Sequence, residues 1–145
     1  MMRLTVYLAG EIHSSWREEL RNLCQELPID FVSPMEVHKR SDNIGEEIVG
    51  TQATATLKDE TASQFNNLRT RVLMAKSDLV IAYLGDKYKQ WNTAMDAGSA
   101  LALGKPLILI NNGASEHALK ELSNRAQASV TSLHQAYQAL AYIFD

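Results

Sequence analysis

The order of apolar patterns along the chain predicts an α/β fold, a three-layer sandwich around a five-stranded parallel sheet. Short apolar runs typical of strands alternate with amphipathic stretches typical of helices. Two of the runs, LVIAYLG and PLILIN, are almost entirely apolar, as expected of strands covered on both faces. The connections between the runs are short, which favours parallel strands joined by right-handed helical crossovers.

Length and composition fit one globular domain over residues 1–145. The chain is 46% hydrophobic and 21% charged, close to an average soluble protein. A formal net charge of −3 offers little attraction to a nucleic acid polymer or an anionic membrane. No apolar run approaches the roughly 20 residues of a membrane-spanning helix. The single cysteine, Cys24, excludes a disulfide framework and fits a reducing cytoplasm, where we expect the protein to reside.

The first half of the chain supplies two predicted strands and three predicted helices. LTVYLAG and IDFVSP are short runs that end at turn residues. HSSWREELRNLCQEL has helical spacing, with a capping box expected from Ser15 to Glu18. NIGEEIVG predicts a short helix and ETASQFNNLRTRVLMAKSD a longer one. The apolar face of the longer helix is expected to comprise Phe65, Leu68, Val72 and Leu73.

The second half supplies three strands and three helices. The strands are LVIAYLG, PLILIN and a short edge strand, SVTS. The helices are expected near Thr93 to Leu103, over SEHALKELSNRAQ and over LHQAYQALAYIF. Five strands in a chain of this length indicate a flavodoxin-like or Rossmann-like sheet, in which ligands bind beyond the carboxyl ends of the strands.

The predicted strand exits therefore indicate where a site would lie. They are Gly10-Glu11, Ser33-Pro34-Met35, Gly85-Asp86 and Asn111-Asn112. Asp86 is at a strand exit and Asp78 is at the entry of the same strand, so Asp86 is favoured as a catalytic acid. The dinucleotide fingerprint, the P-loop and the H-E-x-x-H zinc motif are all absent, and no metal or redox cofactor is expected.

Asp96, in the stretch WNTAMDAGSALALGKPLILI, has two interpretations. The residues from Thr93 to Asp96 fit a capping pattern, with Thr93 as N-cap and Asp96 in the first helical turn. An acid there also complements the helix dipole. The same position would keep a carboxylate ionised at neutral pH beside the ligand, as a nucleophile requires. The residues alone leave both interpretations open.

The polar segment SPMEVHKRSDNIGEE follows the second strand. It is expected to be a solvated loop or, alternatively, a lid over the strand exits. As a lid it would bring Arg40 to a phosphate and Asp42 to sugar hydroxyls. His13 and His38 are expected as ligands or bases near the exits, or as solvated loop residues. Trp91 offers a face for stacking on a base, or a core or dimer contact.

Three segments, VYLAG, KSDLVIAYLG and NTAMDAGSALALGKPLILI, resemble the nucleoside 2-deoxyribosyltransferase superfamily. LAGEIHSSWREE, PMEVHKRSDNIGEEIVG and YKQWNTAMDAGSALALGKP are closer still to its bacterial YtoQ branch. The resemblance covers nearly the whole chain. It implies an enzyme that cleaves or exchanges the N-glycosidic bond of a nucleoside or nucleotide through a carboxylate nucleophile, without a cofactor.

The resemblance also implies roles for individual residues. The nucleophilic Glu of the family pattern G-T-A-[FW]-E-I-G falls on Asp96. The acid that assists the leaving base falls near Asp86, and the tyrosine that positions the nucleophile falls on Tyr7. Together with the strand exits, the pattern gives an expected substrate-binding set of Gly10, Glu11, Pro34, Met35, His38, Arg40, Asp42, Trp91, Asn92 and Thr93.

This chain departs from the family at two of these positions. Glu11 replaces a common Pro, and Asp96 is one methylene shorter than Glu. A displacement of about 1 Å can cost roughly 10²-fold where geometry drives the rate. Asp is nevertheless a competent nucleophile, since glycosidases use either acid. The alternatives to an enzyme of this type are a nucleotide-binding module without turnover and a hydrolase of another ribosyl compound.

A homodimer or larger homo-oligomer is also expected. Transferases of the type resembled complete their pockets with residues from a neighbouring subunit. In the last predicted helix, more residues are apolar than one narrow stripe requires, namely Tyr137, Leu140, Tyr142 and Phe144. The other partner is expected to be a small nucleoside or nucleotide, with no nucleic acid polymer and no membrane.

Overall fold

The computed structural model describes residues 2–86, 90–112 and 117–145. Within these ranges the chain forms one parallel sheet of five strands in the order β2-β1-β3-β4-β5. The strands are β1 Leu4–Ala9, β2 Ile29–Val32, β3 Leu79–Leu84, β4 Leu107–Asn111 and β5 Ala128–Val130. The helices are α1 Trp16–Leu23, α2 His38–Val49, α3 Ala55–Ala75, α4 Trp91–Ala102, α5 Lys120–Arg125 and α6 Leu133–Ile143. The predicted α/β class and five-stranded parallel sheet are confirmed.

Helices cover both faces of the sheet, which is why the central strands are apolar at nearly every position. On one face α1 and α6 pack against alternate residues of β1, β3 and β4, such as Leu8, Ile81 and Ile110. On the other face α3, α4 and α5 pack against the intervening residues, such as Val80 and Leu109. The layers are therefore those of a doubly covered parallel sheet.

The strand order places a crevice between β1 and β3. The chain first adds β2 on one side of β1 and then crosses over to add β3 on the other side. The connections that leave β1 and β3 thus diverge to opposite sides, which opens a space beyond their carboxyl ends. Asp78 lies at the opposite edge, where its carboxylate accepts the backbone N–H of Thr5 at 2.8 Å.

The polar insert after β2 is helical from His38 onward, so the solvated loop expected there is wrong for most of its length. Its helix, α2, packs along α3, and buried Gly45 is the point of closest approach. Asn66 of α3 donates to the backbone carbonyl of Ser41 at 3.0 Å, which fixes the pair. We call α2 and α3 together the helical arm.

Helix α3 begins earlier than predicted, because Thr54 caps it by accepting the backbone N–H of Leu57 at 3.1 Å. The predicted apolar face of this helix is only half correct. Leu68 and Val72 are 61% and 44% exposed, whereas Phe65 and Leu73 are partly buried. Helix α3 packs against α2 on one side and against the sheet on another. Its buried residues therefore do not form the single apolar stripe that the periodicity predicted.

The capping box expected at the start of α1 does not form. Ser15 is the N-cap, but its side chain caps no backbone N–H and instead lies 3.4 Å from the carboxylate of Glu19. Helix α5 is shorter than predicted, and the beginning of that prediction lies outside the described residues. No helix among the described residues is long and apolar enough to cross a membrane.

Most of the apolar residues singled out in α6 are explained by the core. Leu140 is fully buried, and Tyr137 and Phe144 pack against the same cluster. Only Tyr142 of that set is highly exposed, at 77%. The expected homo-oligomer stays a prediction, with less support from α6 than its sequence suggested.

We expect Gly45→Ala to loosen the helical arm. A Cβ at Gly45 would lie 2.7 Å from the backbone nitrogen of Ala62 and 2.7 Å from the methyl group of Thr61. Overpacking of this kind costs about 1–3 kcal/mol of unfolding free energy, to be measured by urea unfolding at neutral pH. Gly98→Ala is the control, since a Cβ there meets nothing within 4 Å. It should stabilise α4 by up to about 1 kcal/mol, and equal effects of the two variants would contradict the close contact.

Candidate active site

A cavity of about 760 Å³ opens at the switch point of the sheet. Its walls are the exits of β1 and β2, the start of α2, one face of α3 and the first two turns of α4. Ten of the predicted site residues line this cavity. Each wall except the one formed by α3 contributes some of them. They are Gly10, Glu11, Pro34, Met35, His38, Asp42, Trp91, Asn92, Thr93 and Asp96.

Three predicted residues do not line the cavity. Arg40 is exposed, and its guanidinium pairs with Glu47 of the same helix, so nothing directs it to a bound phosphate. Asp86 is exposed just beyond β3. Tyr7 is fully buried beneath the site, on β1.

The wall supplied by α3 was missed by sequence reasoning. Its polar side chains on the cavity are Asp59, Ser63, Asn66, Asn67 and Thr70. They recur at intervals of three, four and seven residues, which is the spacing of one helix face. A polar stripe at helical spacing was therefore the available signal, but a polar stripe is ordinarily the solvent face of a helix.

Hydrogen bonds tie this wall to the sheet. The hydroxyl of Tyr7 on β1 donates to Thr70 at 3.4 Å, and Arg69 donates to the backbone carbonyl of Ser33, beyond β2, at 2.6 Å. The pKa of Tyr7 is raised to about 12, mainly by burial; the hydrogen bond to Thr70 opposes the rise and the charge of Asp96 contributes to it. Tyr7 is thus a neutral phenol within electrostatic reach of Asp96.

Asp96 is not a capping residue. Helix α4 begins at Trp91 with Gln90 as its N-cap, so Thr93 lies within the first turn and Asp96 is the sixth helical residue. The prediction of Thr93 as N-cap is wrong because Gln90 adopts a left-handed backbone (φ 54°) that turns the chain into the helix earlier. In the second turn Asp96 faces the cavity and gains little from the helix dipole.

Burial dominates the electrostatics of Asp96. Loss of solvent raises the pKa of its carboxyl to about 6, and the charge of Arg17 opposes that rise. The helix terminus was expected to keep this carboxylate ionised at neutral pH, but it does not supply that stabilisation, and burial raises the pKa instead. Asp96 still loses its proton near neutral pH, and as an anion it is poorly hydrated.

The mouth of the cavity carries a second group of ionisable side chains. His38 lies 3.0 Å from the carboxylate of Asp42, one turn further along α2. The rings of His13 and His38 are 5.2 Å apart between centroids. The carboxylate of Glu11 accepts the backbone N–H of His13 at 2.6 Å, so Glu11 stabilises its own loop. The described residues contain no cluster of three or more side chains suited to a metal ion.

Gln90 is strained and incompletely bonded. It is the one non-glycine residue with positive φ in the described part of the chain, and only 9% of it is exposed. Its side-chain oxygen accepts from the hydroxyl of Thr93 at 3.1 Å, but its amide nitrogen has no partner among the described residues. Because Gln90 lines the cavity, a ligand acceptor could satisfy that nitrogen.

Comparison with known proteins accords with this geometry. The profile of the family described as "Nucleoside 2-deoxyribosyltransferase YtoQ" matches residues 7–144. The "Uncharacterized protein YtoQ" of Bacillus subtilis (strain 168) is 60% identical over 146 residues, covering 99% of each chain. This chain belongs to the YtoQ family.

Solved structures support the fold of this YtoQ-family chain. The 2-deoxyribosyltransferase of the psychrotolerant bacterium Bacillus psychrosaccharolyticus superposes with a TM-score of 0.61, at 17% identity, over 92% of this chain and 90% of its own. A conserved protein from Enterococcus faecalis V583 gives a TM-score of 0.61 at 19% identity, over 98% and 99% of the two chains. At such identities the likeness establishes the fold alone.

Trp91 lies at the mouth of the YtoQ-family cavity and is 73% exposed. A core position is thereby excluded for it. Stacking on a base and contact with a second subunit both remain compatible with so exposed an indole ring.

We expect Asp96→Asn to stabilise the protein, increasingly so as the pH rises from about 4 to about 6. Across that window the folded state holds a proton on Asp96 that the unfolded chain, with an ordinary pKa of 3.8, has lost. Wild-type stability therefore falls with rising pH, and the Asn variant escapes that fall. Solvent screening of a half-buried group limits the gain above pH 7 to about 1–2 kcal/mol.

Urea unfolding of both proteins between pH 4 and pH 8 measures the effect. Asp59→Asn is the matched control, because Asp59 is an exposed carboxylate on the same cavity. Its removal should change stability by no more than about 0.5 kcal/mol at any pH. A pH-independent difference between wild type and Asp96→Asn would contradict the burial of that charge.

Gln90→Gly should raise the unfolding free energy of the ligand-free protein by up to about 1 kcal/mol, because glycine adopts positive φ without strain. Gln25→Gly is the control, at an exposed position of negative φ. There glycine should destabilise by about 0.5–1 kcal/mol through added backbone entropy. Thermal and urea unfolding report both values, and a loss of stability at position 90 as large as at position 25 would argue against strain.

Proposed function

We propose that this chain cleaves or exchanges the N-glycosidic bond of a nucleoside or nucleotide, with Asp96 as the nucleophile. The observation that carries the proposal is a half-buried carboxylate on the wall of a cavity at the switch point of the sheet. A pKa of about 6 makes Asp96 ionised at neutral pH yet sparsely hydrated. Membership of the YtoQ family supports the same chemistry.

The proposed reaction has two displacements at the anomeric carbon of the sugar. A carboxylate oxygen of Asp96 forms a bond to C1′ while the C1′–N bond breaks, and the departing base takes the electron pair and a proton. The resulting glycosyl ester is then attacked at C1′ by a second base or by water, which releases Asp96. Two inversions retain the configuration at C1′.

Tyr7 and Asp86 are proposed to assist. Tyr7 is a neutral phenol near Asp96 and would orient the carboxylate. Asp86 would protonate the leaving base. It follows Gly85, where an added Cβ would lie 3.8 Å from the amide nitrogen of Gln90, so the exit of β3 borders the cavity although Asp86 does not line it.

The opposite wall would hold the rest of the ligand. Asn66 and Asn67 of α3 present amides, and Asp59 and Ser63 present oxygen atoms that can accept hydrogen bonds from sugar hydroxyls. Trp91 would stack on the base at the mouth. The amide nitrogen of Gln90, which has no partner among the described residues, would donate to an acceptor on the ligand.

A nucleotide-binding module without turnover is the second candidate. One observation favours it: Asp86 is exposed and lies outside the cavity. The described lining therefore holds no acid at the position where the family pattern places the acid that assists the leaving base. Under this alternative Asp96 contributes to binding alone.

Incubation with deoxyribonucleosides, ribonucleosides and their monophosphates, with and without free bases, tests the proposal. Chromatography measures released or exchanged base, and intact mass spectrometry measures a sugar adduct. We expect turnover and an adduct in the wild type, and a loss of at least about 10³-fold in Asp96→Ala, because no other group replaces the nucleophile.

Asp78→Asn is the control for loss of a carboxylate, because Asp78 lies at the opposite edge of the sheet and its amide analogue keeps an acceptor for Thr5. This variant should turn over and form adduct like the wild type. If no substrate is consumed while a ligand still raises the melting temperature of both wild type and Asp96→Ala, the binding module replaces the enzyme as the better account.

A further inference from the structure

Arg17 is a buried cation, and the reaction proposed above leaves it without a role. Only 2% of the residue is exposed. Its hydrogen bonds go to backbone carbonyls, and it forms no ion pair with any carboxylate in the described ranges. A buried charge is costly unless something compensates it, so its presence calls for a reason.

The carbonyls that Arg17 binds form the end of β1 and the loop beyond it. Nε and Nη2 donate to Leu8 at 3.2 and 3.0 Å, Nη2 also donates to Gly10 at 2.7 Å, and Nη1 donates to Glu11 at 2.7 Å. Gly10 and Glu11 line the cavity. The guanidinium therefore fixes one wall of the site from behind, outside the reach of a ligand.

Trp16 completes this support. Its indole nitrogen donates to the same carbonyl of Glu11 at 3.1 Å, and its ring lies 4.6 Å from the guanidinium carbon of Arg17. A Cβ at Gly10 would come within 2.6 Å of the indole ring, so glycine is required for the approach. The indole also stacks on Tyr83 of β3, with the ring centroids 4.9 Å apart. These contacts hold the wall from behind.

The charge of Arg17 acts on the groups placed at the reaction centre. Among the influences on Asp96, burial is the largest and raises its pKa, and Arg17 is the one that lowers it. Arg17 likewise lowers the pKa of Tyr7. Its own pKa is lowered to about 10 by burial, with Glu36 the main group that opposes this, so it remains protonated at physiological pH.

Other charged groups lie around Arg17 and Asp96. The cavity lined by Asp96 also carries Glu11, His13, His38, Asp42 and Asp59. The charges of Glu36 and Glu11 raise the pKa of Arg17, and that of Arg21 lowers it. The charge of Arg69 lowers the pKa of Tyr7. Among these charged groups, Arg17 is the one whose charge acts on the pKa of Asp96, and it favours the carboxylate form.

We propose that Arg17 is a positioning residue of the site, which fixes the wall formed by Gly10 and Glu11 and supplies the buried positive charge that holds Asp96 as a carboxylate. The proposal rests on the proposed function in one respect, that an attacking Asp96 must be ionised. It assigns two separable tasks to one side chain, a geometric task for the fork of the guanidinium and an electrostatic task for its charge.

Two variants separate these tasks. Arg17→Lys retains the charge and loses the planar fork, and Arg17→Gln retains hydrogen-bonding groups and loses the charge. Each is made alone and together with Asp96→Asn. Carboxyl chemical shifts followed by NMR across pH give the pKa of Asp96, and urea unfolding at pH 4.5 and pH 8 gives the stabilities.

We expect Arg17→Gln to shift the titration of Asp96 upward by about one pH unit, as loss of a nearby opposite charge does. Arg17→Lys should shift it by less than half as much. The destabilisation caused by Arg17→Gln should be larger at pH 8 than at pH 4.5, and this pH dependence should vanish in the Asp96→Asn background.

A purely structural Arg17 would give a different pattern. Both variants would then lower stability equally at both pH values and in both backgrounds, and Asp96 would titrate as in the wild type. That outcome overturns the proposal. If Arg17→Gln fails to fold, Arg17→Lys still decides, because a full upward shift despite the retained charge also overturns it.

These measurements need no substrate, so the two proposals can fail separately. Absence of turnover in the nucleoside panel would count against Asp96 as nucleophile and leave the coupling between Arg17 and Asp96 intact. An unshifted titration in Arg17→Gln would remove the electrostatic role of Arg17, whatever the turnover. Where turnover is found, the acid limb of kcat/KM should move upward with the pKa of Asp96.

Discussion

Four hydrogen bonds from the guanidinium of Arg17 hold the carboxyl end of β1 in place, and the cavity depends on them. A chain leaving a parallel strand has carbonyls with no partner in the sheet, and unmet carbonyls are costly when buried. Here one side chain of α1 bonds to the carbonyls of Gly10 and Glu11, beyond the strand, and also to that of Leu8 within it. The arrangement also introduces a positive charge beneath a site whose charged lining residues, apart from two histidines, are acids.

The helical arm gives the cavity its second wall. Without α2 and α3, the space beyond β1 and β3 would be an open crevice. The close approach at Gly45 and the bond from Asn66 hold α2 and α3 together, and the bond from Arg69 to Ser33 ties the arm to the end of β2. Polar residues of α3 then line a cavity, although Asp59, Ser63 and Asn67 also remain exposed, and these side chains become available to a ligand.

Two features of the site cost stability in the ligand-free protein. Burial raises the pKa of Asp96 to about 6, so its carboxylate is less stable in the folded protein than in the unfolded chain. Gln90 combines a left-handed backbone with an amide nitrogen that has no partner among the described residues. Such costs are concentrated at functional sites, where the surrounding structure enforces them.

The alternation of apolar runs determined the fold class, since strands covered on both faces and amphipathic helices leave different periods in the sequence. It also placed Gly10, Pro34 and Asp96 at one edge of the sheet, because parallel strands share the direction of their exits. The start of α4 and the role of Arg17 were decided by tertiary structure alone. A left-handed residue leaves no clear mark in sequence when it is Gln, and an arginine in an amphipathic helix looks solvated until the strand it supports is in place. Likewise, the polar stripe of α3 became part of a site only when α2 and the sheet enclosed it.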